Sequence, residues 1–282
     1  RFGGAGLPFP GGCSIGSRPM NYHVQSLCQM GAHAVEKNGF ITARAKRLQG
    51  SEICLDFPSV GATENSIMAA IKARGRTLIR NAAREPEIVD LARYLNVIGA
   101  NVKGAGSDCI EIEGVRKLKG AEYSIMYDRI EAGSFLLAGA ITGGEVFVEG
   151  ANEDALASLL AKMQQAGLHV ESSAAGVGVK SGNNRMKAVD IKTMPYPGFA
   201  TDLQSQFMAL MTLACGTAII AENIFENRFQ HADEMRRMGA NIKIIGRAAV
   251  VNGVKKLYGN TVQASDLRAG AALVLTGLAA EG

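Results

Sequence analysis

The chain has 282 residues, of which 47% are hydrophobic and 20% are charged, and its formal net charge is +4 at pH 7. This length allows one large domain or two of ordinary size, and the composition is that of a globular protein. The charge is too weak for the basic surface of a nucleic-acid-binding protein, and it suits a small anionic substrate in a local pocket.

Cysteine usage and hydropathy restrict the class of protein further. The five cysteines are odd in number and contain no CxxC pair, which argues against a disulfide framework and a zinc site and indicates a reducing compartment. The four histidines have no metal-ligand spacing, so neither a metal nor another cofactor is expected. No apolar run reaches the ~20 residues of a membrane helix and no signal-peptide pattern is evident, so we expect a cytoplasmic protein.

A loop rich in glycine and proline, Leu7 to Pro19, precedes the first predicted helix. Its glycines let the backbone approach a ligand closely, and its prolines make it stiff. Cys13 lies in this loop with Arg18 five residues later, and a nearby positive charge lowers the pKa of a thiol, as an acid or nucleophile requires. The alternative is a turn in which Cys13 only fills a gap as a small buried side chain.

The other four cysteines lie in helices or strands with an apolar periodicity, where thiols are expected to be buried and inert. They are Cys28, Cys54, Cys109 and Cys215.

A repeat of about 70 residues runs through the rest of the chain. Its clearest landmark is a glycine that follows an amphipathic helix and precedes an alternating strand, as expected for a left-handed helix cap. These glycines are Gly31, Gly99, Gly167 and Gly239. A second landmark keeps the same interval at Leu48-Gln49-Gly50, Leu118-Lys119-Gly120 and Leu257-Tyr258-Gly259, with a weakened copy at Met186-Lys187-Ala188.

Each repeat predicts the same order of elements. A strand leads to a helix that begins near a glycine, and these glycines are Gly61, Gly133, Gly198 and Gly270. A second strand follows, then an amphipathic helix such as Ile88 to Leu95, then closing strands such as Cys109 to Glu113 and Ala248 to Asn252. The last predicted helix runs from Leu267 to Glu281. The βαβαββ pattern indicates an α/β architecture with helices on one face of each sheet.

Short motifs along the whole chain resemble those of one enzyme family. In chain order they are PGGCSIGSRP (10–19), SVGAT (59–63), AREPE (83–87), DRIEAG (128–133), PGFATD (197–202), FENRF (225–229) and DLR (266–268). The set resembles the UDP-N-acetylglucosamine 1-carboxyvinyltransferases, which are enolpyruvyl transferases. The resemblance implies a fold of two lobes, each an inside-out α/β barrel of βαβαββ repeats, with residues 1–126 in the first lobe, which carries the Cys loop, and 127–282 in the second.

The resemblance also implies a reaction. The enolpyruvyl group of phosphoenolpyruvate moves to the 3-hydroxyl of UDP-N-acetylglucosamine and phosphate leaves, in the first committed step of peptidoglycan synthesis. Such chemistry needs an acid for the enol carbon, a base for the sugar hydroxyl and cations for the anionic groups. The expected partners are these two small molecules, with no nucleic acid and no membrane, and the oligomeric state stays open.

Matching the motifs residue by residue assigns roles by resemblance. Cys13 corresponds to the family's proton donor or covalent acceptor, which the epoxide fosfomycin alkylates. Asp202 corresponds to the general base; its local pattern also fits a helix N-cap, and the two roles are compatible. Arg228, Asp266 and Arg268 correspond to catalytic residues around phosphoenolpyruvate and the Cys loop. The substrate-binding positions are Arg18, Pro19, Met20, Asn21, Tyr22, Ser59, Val60, Gly61 and Ile224.

The chain departs from the family pattern in two places. Asn21 stands where the family usually has an aspartate beside uracil, and Phe57 stands where some members have a lysine. The family's N-terminal Lys-Asn pair and two of its substrate-binding arginines have no counterpart, so the fold is expected to be incomplete at both ends and residues 1–282 alone are expected to be inactive. The alternatives are an enzyme that acts on shikimate 3-phosphate, against which the Cys-loop motif argues, and a non-catalytic paralogue that serves as an interaction module.

Overall fold

The computed structural model describes residues 3–9, 11–12, 14–16, 20–182 and 185–282. These residues form two compact units. Unit one comprises the described residues of 3–12 and 20–126, and unit two comprises 14–16 and 127–282. Ser14 to Gly16 therefore group with unit two, although the sequence assigned all of residues 1–126 to the first lobe. The correspondence of these units to the two lobes stays a prediction.

Unit one contains two sheets. The first is antiparallel, in the order β1-β3-β2, and is formed by β1 (Gly4–Pro8), β2 (His33–Lys37) and β3 (Phe40–Arg44), with α1 (Asn21–Gln29) between β1 and β2. The second follows as β4 (Glu52–Cys54), α2 (Val60–Ala70), β5 (Arg76–Arg80), α3 (Pro86–Val97), β6 (Asn101–Lys103) and β7 (Cys109–Glu113). Its order is β4-β5-β7-β6, and only the β4–β5 pair within it is parallel.

Unit two begins with α4 (Arg129–Ile141), β8 (Glu145–Glu149), α5 (Glu153–Gln165), β9 (His169–Ser173) and β10 (Gly176–Lys180), whose strands pair in the order β8-β10-β9. A second sheet follows as β11 (Ile191–Lys192), a 3₁₀ turn (Thr201–Leu203), α6 (Gln204–Met211), β12 (Thr217–Ala221), α7 (His231–Arg237), β13 (Asn241–Ile245) and β14 (Ala248–Asn252). The last elements are β15 (Leu257–Tyr258), α8 (Leu267–Leu278) and β16 (Ala280–Glu281). Helix α8 is shorter than predicted because Ala280–Glu281 pair with β15 as a parallel strand.

The predicted βαβαββ repeat is confirmed. The series β4-α2-β5-α3-β6-β7 and β11-α6-β12-α7-β13-β14 have the same element order and the same strand order in their sheets. The four predicted cap glycines all have positive φ angles, between 87° and 100°, which a glycine adopts without strain. Gly133 and Gly270, however, lie inside α4 and α8, because the side chains of Asp128 and Asp266 cap these helices further upstream.

Two other glycines occupy equivalent positions in the repeat. Gly114 follows β7 and Gly253 follows β14. A Cβ atom would lie 1.9 Å from the carbonyl oxygen of Ala73 at the first position and 1.6 Å from that of Ala214 at the second. Only glycine therefore fits where these chain segments approach each other.

The core of unit two lies among its helices. Every residue of α6 is buried, and α6 packs against α4 and α8, whereas strands such as β14 bury alternate residues. The largest fully buried side chain here is that of Phe207. Helices thus lie inside and sheets outside, which agrees with the inside-out arrangement expected from the resemblance. No helix in the described part of the chain is long and apolar enough to cross a bilayer.

The prediction that the other four cysteines are buried is wrong. Cys28, Cys54 and Cys215 are exposed, and Cys109 is half-buried. The periodicity placed three of them in regular elements, Cys28 in α1, Cys54 at the end of β4 and Cys109 at the start of β7, whereas Cys215 lies between α6 and β12. Periodicity along an element does not show which of its faces is covered by the rest of the chain.

Candidate active site

Three of the predicted catalytic side chains meet in unit two. Asp202 lies in the 3₁₀ turn before α6, Arg228 lies between β12 and α7, and Arg268 lies in the first turn of α8. One carboxylate oxygen of Asp202, Oδ1, accepts a hydrogen bond from Arg228 Nη2 at 2.7 Å. The other, Oδ2, accepts one from Arg268 Nη2 at 2.8 Å. Residues distant in sequence thereby hold one carboxylate between two cations, in charge-assisted hydrogen bonds.

The two arginines determine the protonation state of Asp202. Burial raises the pKa of the Asp202 carboxyl, but the charges and hydrogen bonds of Arg228 and Arg268 outweigh burial and hold the pKa below its ordinary value. The carboxylate is therefore ionised at neutral pH. The helix-cap role is wrong, because α6 has no side-chain cap and both oxygens of Asp202 face arginines.

The two arginines differ in exposure. The side chain of Arg228 is 4% exposed and that of Arg268 is 26% exposed. Arg228 also donates from Nη1 to Thr201 Oγ1 at 2.7 Å, and its guanidinium lies 5.0 Å from the centre of the Phe225 ring. Arg228 is thus fixed by protein groups, whereas Arg268 is the cation of this cluster that is open to a ligand.

A buried carboxylate that the sequence analysis missed supports this cluster. Glu222 directly follows β12, and its Oε2 accepts a hydrogen bond from the Thr201 hydroxyl at 2.9 Å. Its Oε1 accepts from Thr193 Oγ1 at 2.9 Å and from the backbone N–H groups of Ile224 and Phe225 at 2.8 and 3.1 Å. The predicted substrate-binding residue Ile224 therefore lies in a turn that Glu222 holds. One acidic residue after an apolar strand is a common pattern, so the sequence offered no distinctive signal for it.

Asp266 has a local role in the structure. It is the N-cap of α8, and its Oδ1 accepts hydrogen bonds from the backbone N–H groups of Arg268 and Ala269, both at 3.0 Å. Ser205 Oγ also donates to the carbonyl oxygen of Arg268 at 3.0 Å. Asp266 thus anchors the start of the helix that presents Arg268 to Asp202.

His231 is a second residue that sequence reasoning missed. It is the first residue of α7, its side chain is buried, and its Nε2 has no hydrogen-bond partner among the described residues. Burial lowers the pKa of His231 from 6.5 to about 4, with Asp266 opposing this shift and Arg228 adding to it. A neutral imidazole therefore lies near the charged cluster. Nothing in the sequence gave a reason to select His231 among the four histidines.

Within unit two, Ser14 to Gly16 of the Cys loop pack on the FENRF motif and on Gln230 just after it. The carbonyl oxygen of Ile15 accepts a hydrogen bond from the Asn227 N–H at 2.9 Å, and that of Ser14 accepts from Gln230 Nε2 at 2.8 Å. Gly16 has a φ of +152°, which residues with a side chain rarely adopt, and a Cβ there would lie 3.1 Å from the Glu226 backbone nitrogen, so a larger residue would be strained. The predicted site residues Cys13, Arg18 and Pro19 lie outside the described residues.

Comparisons with known proteins identify the family. The family model described as EPSP synthase (3-phosphoshikimate 1-carboxyvinyltransferase) matches residues 2–282. Two relatives named UDP-N-acetylglucosamine 1-carboxyvinyltransferase 1, from Caldanaerobacter subterraneus subsp. tengcongensis and Carboxydothermus hydrogenoformans, are each 56% identical over 282 residues. The matches cover 100% of this chain and 68% and 67% of the relatives. The chain belongs to the enolpyruvyl transferase family.

A solved structure shares the fold of this enolpyruvyl transferase. The crystal structure of the enolpyruvyl transferase NikO from Streptomyces tendae matches with a TM-score of 0.88 and 24% sequence identity, covering 99% of this chain and 67% of that one. The resemblance stated from the motifs is thereby confirmed for family and fold.

The remaining candidate residues of the enolpyruvyl transferase lie in unit one, at the starts of two neighbouring helices. Met20 is the N-cap of α1, and Asn21 and Tyr22 open that helix. Ser59 caps α2 by accepting from the Ala62 N–H at 3.3 Å, and Val60 and Gly61 follow it. The predicted turn into a helix is therefore present, and the unpaired N–H groups of a helix start favour an anion.

His23 joins these two helices. Its Nδ1 lies 2.7 Å from Asn65 Nδ2 of α2, and its Cε1 would lie 3.2 Å from a Cβ on Gly61, so a larger residue there would displace the ring. Among the described residues no cluster of His, Cys, Asp or Glu is arranged to hold a metal ion.

Proposed function

We propose that this enolpyruvyl transferase moves the enolpyruvyl group of phosphoenolpyruvate to the 3-hydroxyl of UDP-N-acetylglucosamine and releases phosphate. The observation that carries the proposal is the carboxylate of Asp202 held between Arg228 and Arg268, in a chain 56% identical to enzymes named for this transfer. The reaction would be the first committed step of peptidoglycan synthesis, carried out in the cytoplasm.

Arg268 suits the anionic substrate. It uses one guanidinium donor on Asp202, and its other side-chain donors have no partner among the described residues. A guanidinium with free donors binds phosphate or carboxylate in a paired geometry. Arg228 is buried, and its two Nη atoms donate to Thr201 and Asp202, so its role is to position Asp202 and to add positive potential.

Asp202 suits the role of general base once an anionic substrate is bound. A carboxylate whose pKa is held below its ordinary value is a weak base. An oxyanion bound to the free donors of Arg268 would neutralise part of the charge that stabilises the carboxylate and so make Asp202 a stronger base. Proton removal from the sugar hydroxyl would thus be favoured once the anionic substrate is bound.

Two further groups complete the proposal. Cys13 would supply the proton for the enol carbon or accept the enolpyruvyl group, and fosfomycin would alkylate it. The hydrogen bonds from Asn227 and Gln230 to Ser14 and Ile15 tie its chain neighbours to the motif that carries Arg228. The starts of α1 and α2 would bind the nucleotide.

The test uses phosphate release from phosphoenolpyruvate by the full-length protein. We expect release that depends on UDP-N-acetylglucosamine, and Asp202→Asn should lower kcat by roughly 10²-fold or more while the UDP-sugar still binds. Asp233→Asn is the matched control, because Asp233 forms an exposed ion pair with Arg236 in the same unit. Release that depends on shikimate 3-phosphate instead would support the alternative enzyme, and near-normal turnover by Asp202→Asn would refute its role as base.

A further inference from the structure

We propose that Glu222 is a positioning residue for the reaction, acting through Thr201 on Arg228 and through the backbone on Ile224. This inference rests on the proposed function. It starts from a carboxylate that is buried and faces none of the site's cations directly: its partners are hydroxyl and backbone N–H groups.

The direction of these hydrogen bonds follows from their geometry. The Thr201 hydroxyl accepts from Arg228 Nη1, so its one proton is available for Glu222 Oε2. The Thr193 hydroxyl accepts from the Asn223 N–H at 2.9 Å, so its proton is available for Glu222 Oε1. All four partners of Glu222 are therefore donors, as a carboxylate requires.

Two chains of hydrogen bonds, termed the first and second arm, start at the Glu222 carboxylate. Along the first, Glu222 accepts from Thr201, Thr201 accepts from Arg228, and Arg228 donates to Asp202. Each bond polarises the next, so the Thr201 oxygen is a stronger acceptor for the guanidinium than an isolated hydroxyl. The first arm therefore fixes the orientation of Arg228 against the proposed base.

The second arm holds the turn after β12. Glu222 Oε1 accepts from the N–H groups of both Ile224 and Phe225. Ile224 is a predicted substrate-binding residue, and the ring of Phe225 lies under the Arg228 guanidinium. One buried carboxylate thus positions both the cation that holds Asp202 and the backbone of the predicted substrate-binding residue Ile224. Burying a charge is costly, and these four hydrogen bonds offset that cost.

The two arms can be separated by substitution in the full-length protein. Thr201→Val removes only the first arm, and we expect kcat to fall about tenfold or more with little change in KM for UDP-N-acetylglucosamine, because a misplaced positioning group slows the chemical step. Glu222→Gln weakens both arms, so we expect the same fall in kcat together with a higher KM for the UDP-sugar. Thr201→Ser keeps the hydroxyl and should restore kcat to within about twofold of wild type.

The control is Thr276→Val. Thr276 is fully buried in α8, and its hydroxyl donates to the Ala272 carbonyl oxygen of the same helix, away from the Asp202 cluster's hydrogen bonds. A loss of kcat as large in Thr276→Val as in Thr201→Val would overturn the proposal, since it would reflect packing alone. So would near wild-type kcat in folded Thr201→Val or Glu222→Gln protein.

A second measurement needs no activity. Hydrogen exchange of the peptide that contains Ile224 and Phe225 should be faster in Glu222→Gln than in wild type, because both amides lose a charged acceptor. Unchanged exchange would overturn the proposal. If the wild-type protein shows no phosphate release with UDP-N-acetylglucosamine, the proposed function fails, and the exchange experiment still decides whether Glu222 holds this turn.

Discussion

His231 makes the stability of unit two depend on pH. Its imidazole is buried, its Nε2 has no partner among the described residues, and burial lowers its pKa from 6.5 to about 4. The unfolded chain therefore binds a proton at this position between these two values, and the folded protein does not. Stability from this group is fully present above pH 6.5 and is lost as the pH falls towards 4.

The size of the effect follows from the two pKa values. Lowering the pH from about 7 to about 5 should reduce the free energy of unfolding by about 2 kcal/mol through this one group. Further acidification to below both pKa values raises the total to about 3 kcal/mol. Burial disfavours the charged imidazole and is the main cause of the lowered pKa, and the nearby charge of Arg228 adds to it while Asp266 opposes it.

The assay compares wild type with His231→Leu, in which no group titrates at this position. Urea unfolding followed by circular dichroism at both pH values gives the change in free energy, and hydrogen exchange of α7 reports on unit two separately. We expect His231→Leu to lose the pH-dependent component. His231→Gln serves as a second variant that keeps a polar side chain, and His33→Gln, at an exposed histidine of β2, should leave the wild-type slope unchanged.

An equal fall in stability for wild type and both His231 variants would refute this reasoning. It would mean that the imidazole is protonated in the folded protein or finds a partner there. A changed slope in His33→Gln would show that the assay does not isolate the buried group.

Three further predictions concern other sites. Thr77→Val should raise the free energy of unfolding by about 1 kcal/mol, measured as a higher Tm, because the buried Thr77 hydroxyl has no partner among the described residues; a lower Tm would contradict this. Gly253→Ala should destabilise unit two by about 2 kcal/mol or more, because its Cβ would overlap the Ala214 carbonyl oxygen, whereas Gly277→Ala, with nothing within 4 Å, should stabilise α8. Limiting iodoacetamide with peptide mapping should label Cys13 first, and fosfomycin should block that labelling. Since the other four thiols are exposed or half-buried, thiolate character must explain the order, and equal labelling would count against an activated Cys13.

The sequence determined the repeat, four helix ends and the bounds of two strands. Glycine at a helix end, alternation along a strand and periodicity along a helix are local properties, since they depend on backbone sterics and on which side chains share a face. Gly31, Gly99, Gly167 and Gly239 therefore predicted four helix ends correctly, and β7 and β14 have their predicted bounds. The motifs likewise identified the family, because a short motif is recognised from the identity and order of its residues alone.

The tertiary structure decided which of those residues contact each other and how these contacts set their charge and exposure. Asp202 after Ala200-Thr201 has the local pattern of a helix cap, and only the approach of Arg228 and Arg268 from other elements makes it an ionised, clamped carboxylate. Local pattern also misplaced the end of α8, because β16 forms only against a strand more than twenty residues earlier in the chain. Glu222 and His231 had no signal at all, since burial and hydrogen-bond partners are properties of the packed chain. The sequence alone determines which groups are present and which elements carry them, whereas packing sets their charge, orientation and exposure, because electrostatic and hydrogen-bond energies depend on distances that only the folded chain defines.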